Sequence, residues 1–295
     1  MINFVEKRKY YYLFSGILVV ASIISLLLYG LKFSIDFIGG SEFTLSDNAD
    51  NEKIENIFQE EGVEIFSTTQ GEDTVTYKIQ EIGQEKREQI ESQIEELENV
   101  EVVEFQTIGP VIGEETKNKA IQAVSLAVVA ILGYVALVFH HVARPVASWK
   151  FGVAAVIALV HDVLLTIGVF SILGAIWGVE VDPLFITAVL TVMGFSVHDT
   201  IVTFDRIREN LRNNVKNIPF ETVINNSIIE TLTRSINTSM TVLLVLVALL
   251  LFGGESIRWF TVALTVGIIV GVYSSIFIAA QLLVTWYEWD RSRKN

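Results

Sequence analysis

The sequence predicts a polytopic α-helical membrane protein with six transmembrane helices and an external α+β ferredoxin-like domain between helices 1 and 2. Three observations support this fold class. The chain is 51% hydrophobic and contains six apolar runs of about 20 residues, each long enough to cross a hydrocarbon core about 30 Å thick. Acidic residues are concentrated between the first two runs. That same stretch carries short strand and helix patterns in the order typical of a ferredoxin-like domain.

The six apolar runs give approximate bounds for the transmembrane helices. The first run follows Lys7, Arg8 and Lys9, as in a signal peptide. Its length, and the lack of an A-x-A-like cleavage site after it, favour a retained anchor. The predicted spans are residues 12–31, 120–139, 151–174, 184–204, 235–252 and 259–283.

The charge distribution predicts the orientation. Residues 33–118 contain 22 acidic and five basic residues, a net charge of −17, so the chain's net charge of −13 arises there. Lys and Arg in short loops mark the cytoplasmic side of a membrane protein. In a six-span scheme they fall on one side, near residues 7–9, 144–150, 206–216 and 291–294. We therefore expect both termini in the cytoplasm, with a first segment at 1–35, an external domain at 36–118 and the remaining spans at 119–295.

The acidic region has the pattern of a small domain. Its predicted order is β-α-β-β-α-β, with the first helix opened by an aspartate cap and the two middle strands joined by a turn. The acid-rich second helix is read as a solvated face, with a binding surface as the alternative. The predicted elements are residues 42–45, 50–61, 63–68, 74–80, 84–97 and 100–108.

Polar residues inside the predicted spans are the candidates for function. A carboxylate at membrane depth costs roughly 2.5 to 3.5 kcal/mol on insertion scales, so Asp199 in the fourth span indicates a proton, an ion or a partner charge. Helical spacing predicts one stripe on the fourth span and a second on the fifth, and the two could face each other. The first stripe is Ser196, Asp199, Thr200 and Thr203, and the second is Arg234, Asn237, Thr238 and Thr241.

Facing stripes would suit proton coupling. Proximity to Arg234 would keep Asp199 ionised, and burial away from it would favour the protonated form. A static buried ion pair that fixes helix packing is the alternative. Asp162 in the third span, beside His161, is read as a supporting or structural residue, with a relay as the alternative. His198 is read as a packing or interfacial histidine.

Small residues mark close contacts and boundaries. Gly267, Gly271 and Ser275 are four apart in the last span and predict close approach to another helix, in the same bundle or in a partner. Two glycine pairs lie at outer span boundaries, where a turn is the simpler reading and a hinge the alternative. These pairs are Gly39–Gly40, after Asp36, and Gly253–Gly254.

Several of these stretches together resemble the SecD/SecF family of bacterial protein-export membrane proteins, in its SecF branch, within the resistance-nodulation-division superfamily. The similarity runs along nearly the whole chain in order. It rests on residues 36–40, 158–162, 194–202, 204–210, 233–239 and 252–255.

The resemblance implies a role in the late stage of protein export, driven by the proton-motive force across the bacterial cytoplasmic membrane. It implies pairing with SecD, a place beside the SecYEG channel and its SecA ATPase, and an unfolded exported polypeptide as substrate. Asp199 would be the proton-coupling carboxylate and Arg234 its partner. Asp205 and Arg206 would have a structural or coupling role at the cytoplasmic end.

Other functions remain as alternatives at this point. A small-molecule or lipid exporter of the same superfamily would share the intramembrane carboxylate, and a structural scaffold of the translocon would not need it. An intramembrane aspartyl protease is disfavoured, because a Gly-x-Gly-Asp surrounding is missing. No phosphate-binding loop, zinc spacing or hydrolase triad occurs, and the chain has no cysteine, so we expect no enzyme activity, no cofactor beyond the coupling proton and no nucleic-acid partner.

Overall fold

The computed structural model describes residues 3–46, 51–71, 74–97, 100–139, 146–213 and 218–293. The predicted cap at Asp50 and the loop cations Arg144, Lys216 and Lys294 lie outside these residues. The strands are β1 (Gly40–Ser46), β2 (Ile65–Gln70), β3 (Thr74–Ile79) and β4 (Val102–Ile108). The helices are α1 (Arg8–Leu28), α2 (Ile35–Ile38), α3 (Asn51–Glu60), α4 (Gln84–Glu95), α5 (Pro110–Val138), α6 (Ser148–Trp177), α7 (Pro183–Arg212), α8 (Phe220–Phe252), α9 (Arg258–Ser274) and α10 (Ala280–Ser292).

Six of these helical stretches are long and apolar enough to cross a membrane, which confirms the predicted number of spans. They are α1, α5, α6, α7 and α8, followed by a last span, Glu255–Ser292, that joins α9 and α10. The helices extend beyond the apolar runs, most of all in α8, which begins at Phe220 rather than near residue 235. Apolar length marks only the part of a helix that lies in hydrocarbon, so it underestimates the whole helix.

Burial separates the spans into two groups. About half of the residues in α6, α7 and the last span are buried, whereas α1, α5 and α8 bury few. A helix that is apolar all round but buried on one side only must meet lipid or another protein on its other sides. The polar residues buried in α6, α7 and the last span therefore lie in the interior of the bundle.

The α+β region forms a four-stranded antiparallel sheet in the order β2-β3-β1-β4. With α3 and α4 in the β-α-β-β-α-β order, this confirms the ferredoxin-like prediction. Inward side chains alternate along β3, where Val75, Tyr77 and Ile79 are buried. They join a core with Phe43 and Leu45 of β1 and the apolar faces of both helices, which contribute Ile54, Phe58, Ile90 and Ile94.

The chain divides into two compact units. One contains Met1–Leu31, Ala123–Val179 and Leu184–Asn295, which include most of the membrane-spanning residues. The other contains Lys32–Gln122 and Glu180–Pro183. The short loop between α6 and α7 therefore groups with the sheet and not with the helices that it joins.

Candidate functional site

The predicted polar stripe of α7 lies on a buried face of that helix. Ser196, Asp199, Thr200 and Thr203 are all buried, with Asp199 only 3% exposed. The Oδ2 atom of Asp199 has no hydrogen-bond partner among the residues that the structure describes, and neither has Oγ1 of Thr203. A buried carboxylate without a partner carries a large desolvation cost, which binding of a proton would remove.

Asp162 of α6 is the other buried carboxylate of the bundle, and it is fully paired. Its Oδ2 accepts hydrogen bonds from the hydroxyls of Ser196, at 2.5 Å, and Ser274, at 2.7 Å. Its Oδ1 lies 2.9 Å from Nδ1 of the adjacent His161. The carboxylate thus ties together α6, α7 and α9.

A second contact joins α7 to the last span one turn along. The hydroxyls of Thr200 and Ser275 are 2.9 Å apart, and the Ser275 hydroxyl also reaches the Gly271 carbonyl at 2.9 Å. The backbone leaves α-helical geometry from Ser275 to Ala279, where it forms a π-helical turn. Such turns are frequent at functional sites of helices.

The small-residue stripe of the last span packs against α7 of the same chain. A Cβ added at Gly267 would lie 2.2 Å from Cγ2 of Val192, and one at Gly271 would lie 3.2 Å from Cβ of Ser196. The stripe therefore brings two helices of this bundle together. The sequence left open whether this stripe packs against a helix of the same bundle or of a partner protein, and in the structure it packs within the bundle.

The second predicted stripe lies on an exposed face of α8, and its meeting with the stripe of α7 stays a prediction. Arg234, Asn237 and Thr238 are exposed on α8. The buried face of this helix carries Ser235 and Ser239 instead. Within the described part of the chain, no ion pair joins Arg234 to Asp199.

Small side chains line the buried face of α8. α8 packs on α9 along the face that bears the two small serine hydroxyls, which permit close approach. A long arginine side chain on that face would hold the helices apart. The two serines, and not the predicted polar stripe, therefore occupy the buried face of α8.

Unpaired polar atoms also occur on other buried faces of the bundle. Within the described residues, the hydroxyls of Ser235 and Ser239 have no hydrogen-bond partner, and neither have the two amide atoms of Gln281 in α10. Buried polar groups are paired in the great majority of structures, so unpaired ones call for water or for a second arrangement of the helices.

The predicted hinge glycines occupy tight positions. Gly39 and Gly40 have φ of 77° and 138°, a region that other residues rarely adopt. A Cβ at Gly39 would lie 2.8 Å from Cα of Pro110, at the start of α5. Asp36 accepts a hydrogen bond from the Ser34 hydroxyl at 3.0 Å, at the beginning of α2.

The remaining predicted residues lie at helix ends. Gly253 ends α8 in an extended conformation, and Gly254 precedes the next helical turn. Arg206 donates hydrogen bonds of 2.6 Å to Glu230 of α8 and Glu209 of its own helix, so it links α7 and α8. Asp205 is exposed.

Sequence reasoning missed three members of these networks. It did not select Ser274, the π-helical turn, or Gln281. The adjacent serines 274 and 275 and a glutamine in an apolar span were the available signals. Across the described ranges, no cluster of His, Asp and Glu could hold a metal ion.

Comparison with known proteins shows similarity to the SecD/SecF family of export proteins. The family profile described as "Protein export membrane protein SecD/SecF, C-terminal" matches residues 89–289. The protein translocase subunit SecF of Thermobaculum terrenum is 43% identical over 310 residues, which cover 98% of this chain and 95% of the relative. The corresponding SecF of Anaerolinea thermophila is 39% identical, with 98% and 96% covered.

The fold is also similar to that of a solved structure. The crystal structure of SecDF, a translocon-associated membrane protein from Thermus thermophilus, superposes with a TM-score of 0.86 at 35% sequence identity. The match covers 97% of this chain and 39% of that protein. A crystal structure of SecDF in a super-membrane-facing form gives a TM-score of 0.72, with 99% and 40% covered.

Proposed function

This chain belongs to the SecD/SecF family and is the SecF subunit of the SecDF accessory complex in protein export, and from that premise we propose that Asp199 couples proton movement to export. The single observation that supports this role is the state of Asp199. It is a buried carboxylate in a membrane span with an unpaired oxygen among the described residues. The family makes the chain a transport subunit rather than an enzyme.

The proton gradient supplies enough free energy for such a role. One charge crossing 100 mV releases about 2.3 kcal/mol. That is enough to shift an equilibrium between two arrangements of the helices by tens of fold. Protonation of Asp199 would remove its charge from the bundle, and the unpaired polar atoms on neighbouring faces would allow its surroundings to repack.

In this proposal Arg234 remains the partner of Asp199, although no ion pair joins the two among the described residues. Arg234 lies just before the apolar run of α8, and its exposed polar stripe continues into the span, where it is expected to face a partner. The similarity to SecDF implies association with SecD. We infer that the polar stripe of α8 is covered by the SecD half, so that Arg234 approaches Asp199 only in some arrangements of the complex.

The rest of the assembly is part of the same proposal. Residues 36–118 would lie outside the cytoplasmic membrane and the basic loops inside. The complex would act beside SecYEG and SecA on an unfolded polypeptide that is leaving the channel. A scaffold role, in which the chain supports the channel without using protons, is the competing function.

Asp199→Asn tests the proposal. Vesicles that contain the chain and a SecD partner are loaded with a preprotein whose ATP-driven insertion has been halted. Advance of the preprotein is then measured with and without a proton gradient. We expect the gradient-dependent advance to fall to below about a tenth of the wild-type value, because asparagine cannot exchange a proton.

Thr191→Val is the matched control. Thr191 lies on the exposed side of the same helix, and its hydroxyl bonds only to the Thr187 carbonyl at 2.8 Å. This variant should respond to the gradient as the wild type does. If Asp199→Asn also responds fully, the proton-coupling proposal is wrong and the scaffold function replaces it.

A further inference from the structure

The loop between α6 and α7 is attached to the chain that enters the sheet. The main-chain N–H of Val181 donates to the Lys32 carbonyl at 2.7 Å, and the N–H of Ser34 donates to the Val181 carbonyl at 3.0 Å. Phe33 and Val181 form a parallel β-bridge between these two bonds. Val181 is only 2% exposed. The loop is therefore held by a short two-stranded pairing and not by the helices alone.

A charged contact adds the sheet itself to this attachment. Nζ of Lys78, in β3, forms an ion pair with Glu180 of the loop and lies 3.7 Å from Oε2 of Glu42 in β1. The Lys78 and Glu180 side chains are 14% and 15% exposed. Burial raises the pKa of Glu42, Glu180 and Glu104 raise it further, and Lys78 opposes the rise. One lysine thus balances two crowded carboxylates, of which only Glu180 belongs to the loop.

The position of this loop in the chain gives the contact its significance. Pro183 ends the loop and begins α7, the helix that carries Asp199. Asp199 lies sixteen residues farther on, about 24 Å along an ideal helix. A continuous helix of this kind transmits an axial shift or rotation from one end to the other. A rigid shift of α7 along its axis would therefore reach the loop Glu180–Pro183, because Pro183 is the first residue of that helix.

We propose that the Lys78–Glu180 ion pair is a latch that couples α7 to the sheet of the α+β domain. The domain has covalent links to α1 and α5, and the latch is a third, non-covalent link to the helix that bears the proton-binding residue. When the ion pair is formed, a movement of α7 is transmitted to β3. When the ion pair is broken, the loop moves independently of the sheet. This inference rests on the proposed function of Asp199 and names the positioning residues through which its protonation would reach the domain.

An ion pair suits this role better than apolar packing does. Removing one partner of a half-buried pair leaves the other charge without compensation, so the contact is sensitive to a single substitution. The main-chain bonds of Val181 alone join a short two-residue pairing, which is marginal without further support. The ion pair therefore controls whether the loop stays attached to the sheet.

A cysteine reporter measures the latch directly. The chain contains no cysteine, so Val181→Cys gives one labelling site, which is protected from maleimide while the loop is seated. The reporter is placed in the full complex in vesicles, in three backgrounds: native, Glu180→Gln and Glu42→Gln. We expect Glu180→Gln to be labelled about tenfold faster than the native background, which corresponds to about 1.4 kcal/mol in the opening equilibrium.

Glu42→Gln is the matched control, because it neutralises the other carboxylate partner of the same lysine and leaves the loop contact in place. It should be labelled at the native rate. Equal acceleration in both variants, or no acceleration in Glu180→Gln, would overturn the latch. Lys78→Arg should keep the slow rate, since it retains the charge.

The second measurement is export, and it separates the two proposals. Without the cysteine reporter, Glu180→Gln should lose most of the gradient-dependent advance of a halted preprotein but keep the ATP-driven part. Glu42→Gln should behave like the wild type in this assay. A full gradient response in Glu180→Gln, where labelling shows an open loop, refutes the coupling role. If Asp199→Asn responds like wild type, the proton proposal fails by itself, and the labelling rates still decide whether Glu180 holds the loop.

Discussion

Two aspartates in the bundle show how the surroundings of a residue decide its role. Asp162 is fully buried and accepts hydrogen bonds from two serine hydroxyls of other helices. Asp199 is almost as buried, and its Oδ2 has no partner within the described part of the chain. A satisfied carboxylate stabilises one arrangement of helices, whereas an unsatisfied one favours change. This difference supports the proposal that Asp199 couples protons, and we expect a structural role for Asp162.

Ser274→Ala tests the structural role of Asp162. It removes one of the two hydroxyl donors to Oδ2 and should lower stability by about 1 to 3 kcal/mol, because a buried acceptor loses a hydrogen-bond partner. Thermal unfolding of the detergent-solubilised protein measures the loss. Thr265→Val is the control on the same helix, since that hydroxyl bonds to the carbonyl of Thr261 in its own helix.

A double-mutant cycle with Asp162→Asn makes this prediction specific. The two substitutions should couple, because Asp162→Asn changes the acceptor to which the Ser274 hydroxyl donates. Strictly additive effects would show that Ser274 stabilises the bundle by some route other than this carboxylate.

At the scale of elements, the approach of the last span to α7 positions the site. Gly267 and Gly271 allow that approach, and the Thr200–Ser275 hydroxyl pair follows it one turn later. The same approach brings Ser274 to Asp162. A side chain at Gly267 would therefore disturb contacts beyond its own.

Gly267→Ala should be destabilising although alanine favours a helix. The new Cβ would lie 2.2 Å from Cγ2 of Val192, a β-branched side chain with little freedom to turn away. Overpacking of this kind costs about 1 to 3 kcal/mol. The measurement is the thermal midpoint of the solubilised protein.

Gly133→Ala in α5 is the control, because nothing lies within 4 Å of the added Cβ. It should be neutral or slightly stabilising, as glycine is unfavourable inside a helix. The second substitution Val192→Ala should restore much of the stability lost in Gly267→Ala. Failure of that rescue would mean that the glycine serves a purpose other than close packing.

At the scale of the whole molecule, this chain corresponds to about two fifths of the SecDF protein to which its fold is similar. The exposed polar stripe on α8, which includes Arg234 and Thr238, has no cover within the described chain. A polar face at membrane depth is stable only against another polar surface. We infer that the SecD half supplies it.

A photo-crosslinking residue at Thr238 tests this inference. In membranes that contain both chains, Thr238 should give an adduct with SecD. Ile236 is the control: it is also exposed, two residues away and about 200° around the helix. Adducts with SecD from Ile236 and none from Thr238 would place the partner on the other face of α8.

The extent to which the sequence predicts this protein depends on the range of the interactions involved. Apolar run length and two-residue alternation are local, so the six spans and the ferredoxin-like domain were predicted and are confirmed. The stripe on α7 was also visible, since its residues share one helix. The direction in which the stripe on α8 points was not visible in the sequence, because it depends on which neighbour packs against that helix.

The sequence by itself determined the number of spans, the order of elements in the α+β domain and the candidate coupling carboxylate, Asp199. Only the tertiary structure decided that Ser196 and Ser274 both donate to Asp162, that Arg234 is exposed, and that Glu180 is attached to the sheet through Lys78. The physical reason is that these contacts join residues far apart in the chain. Side-chain size at helix crossings and pairing of buried charges select them, and neither has a local signature in the sequence.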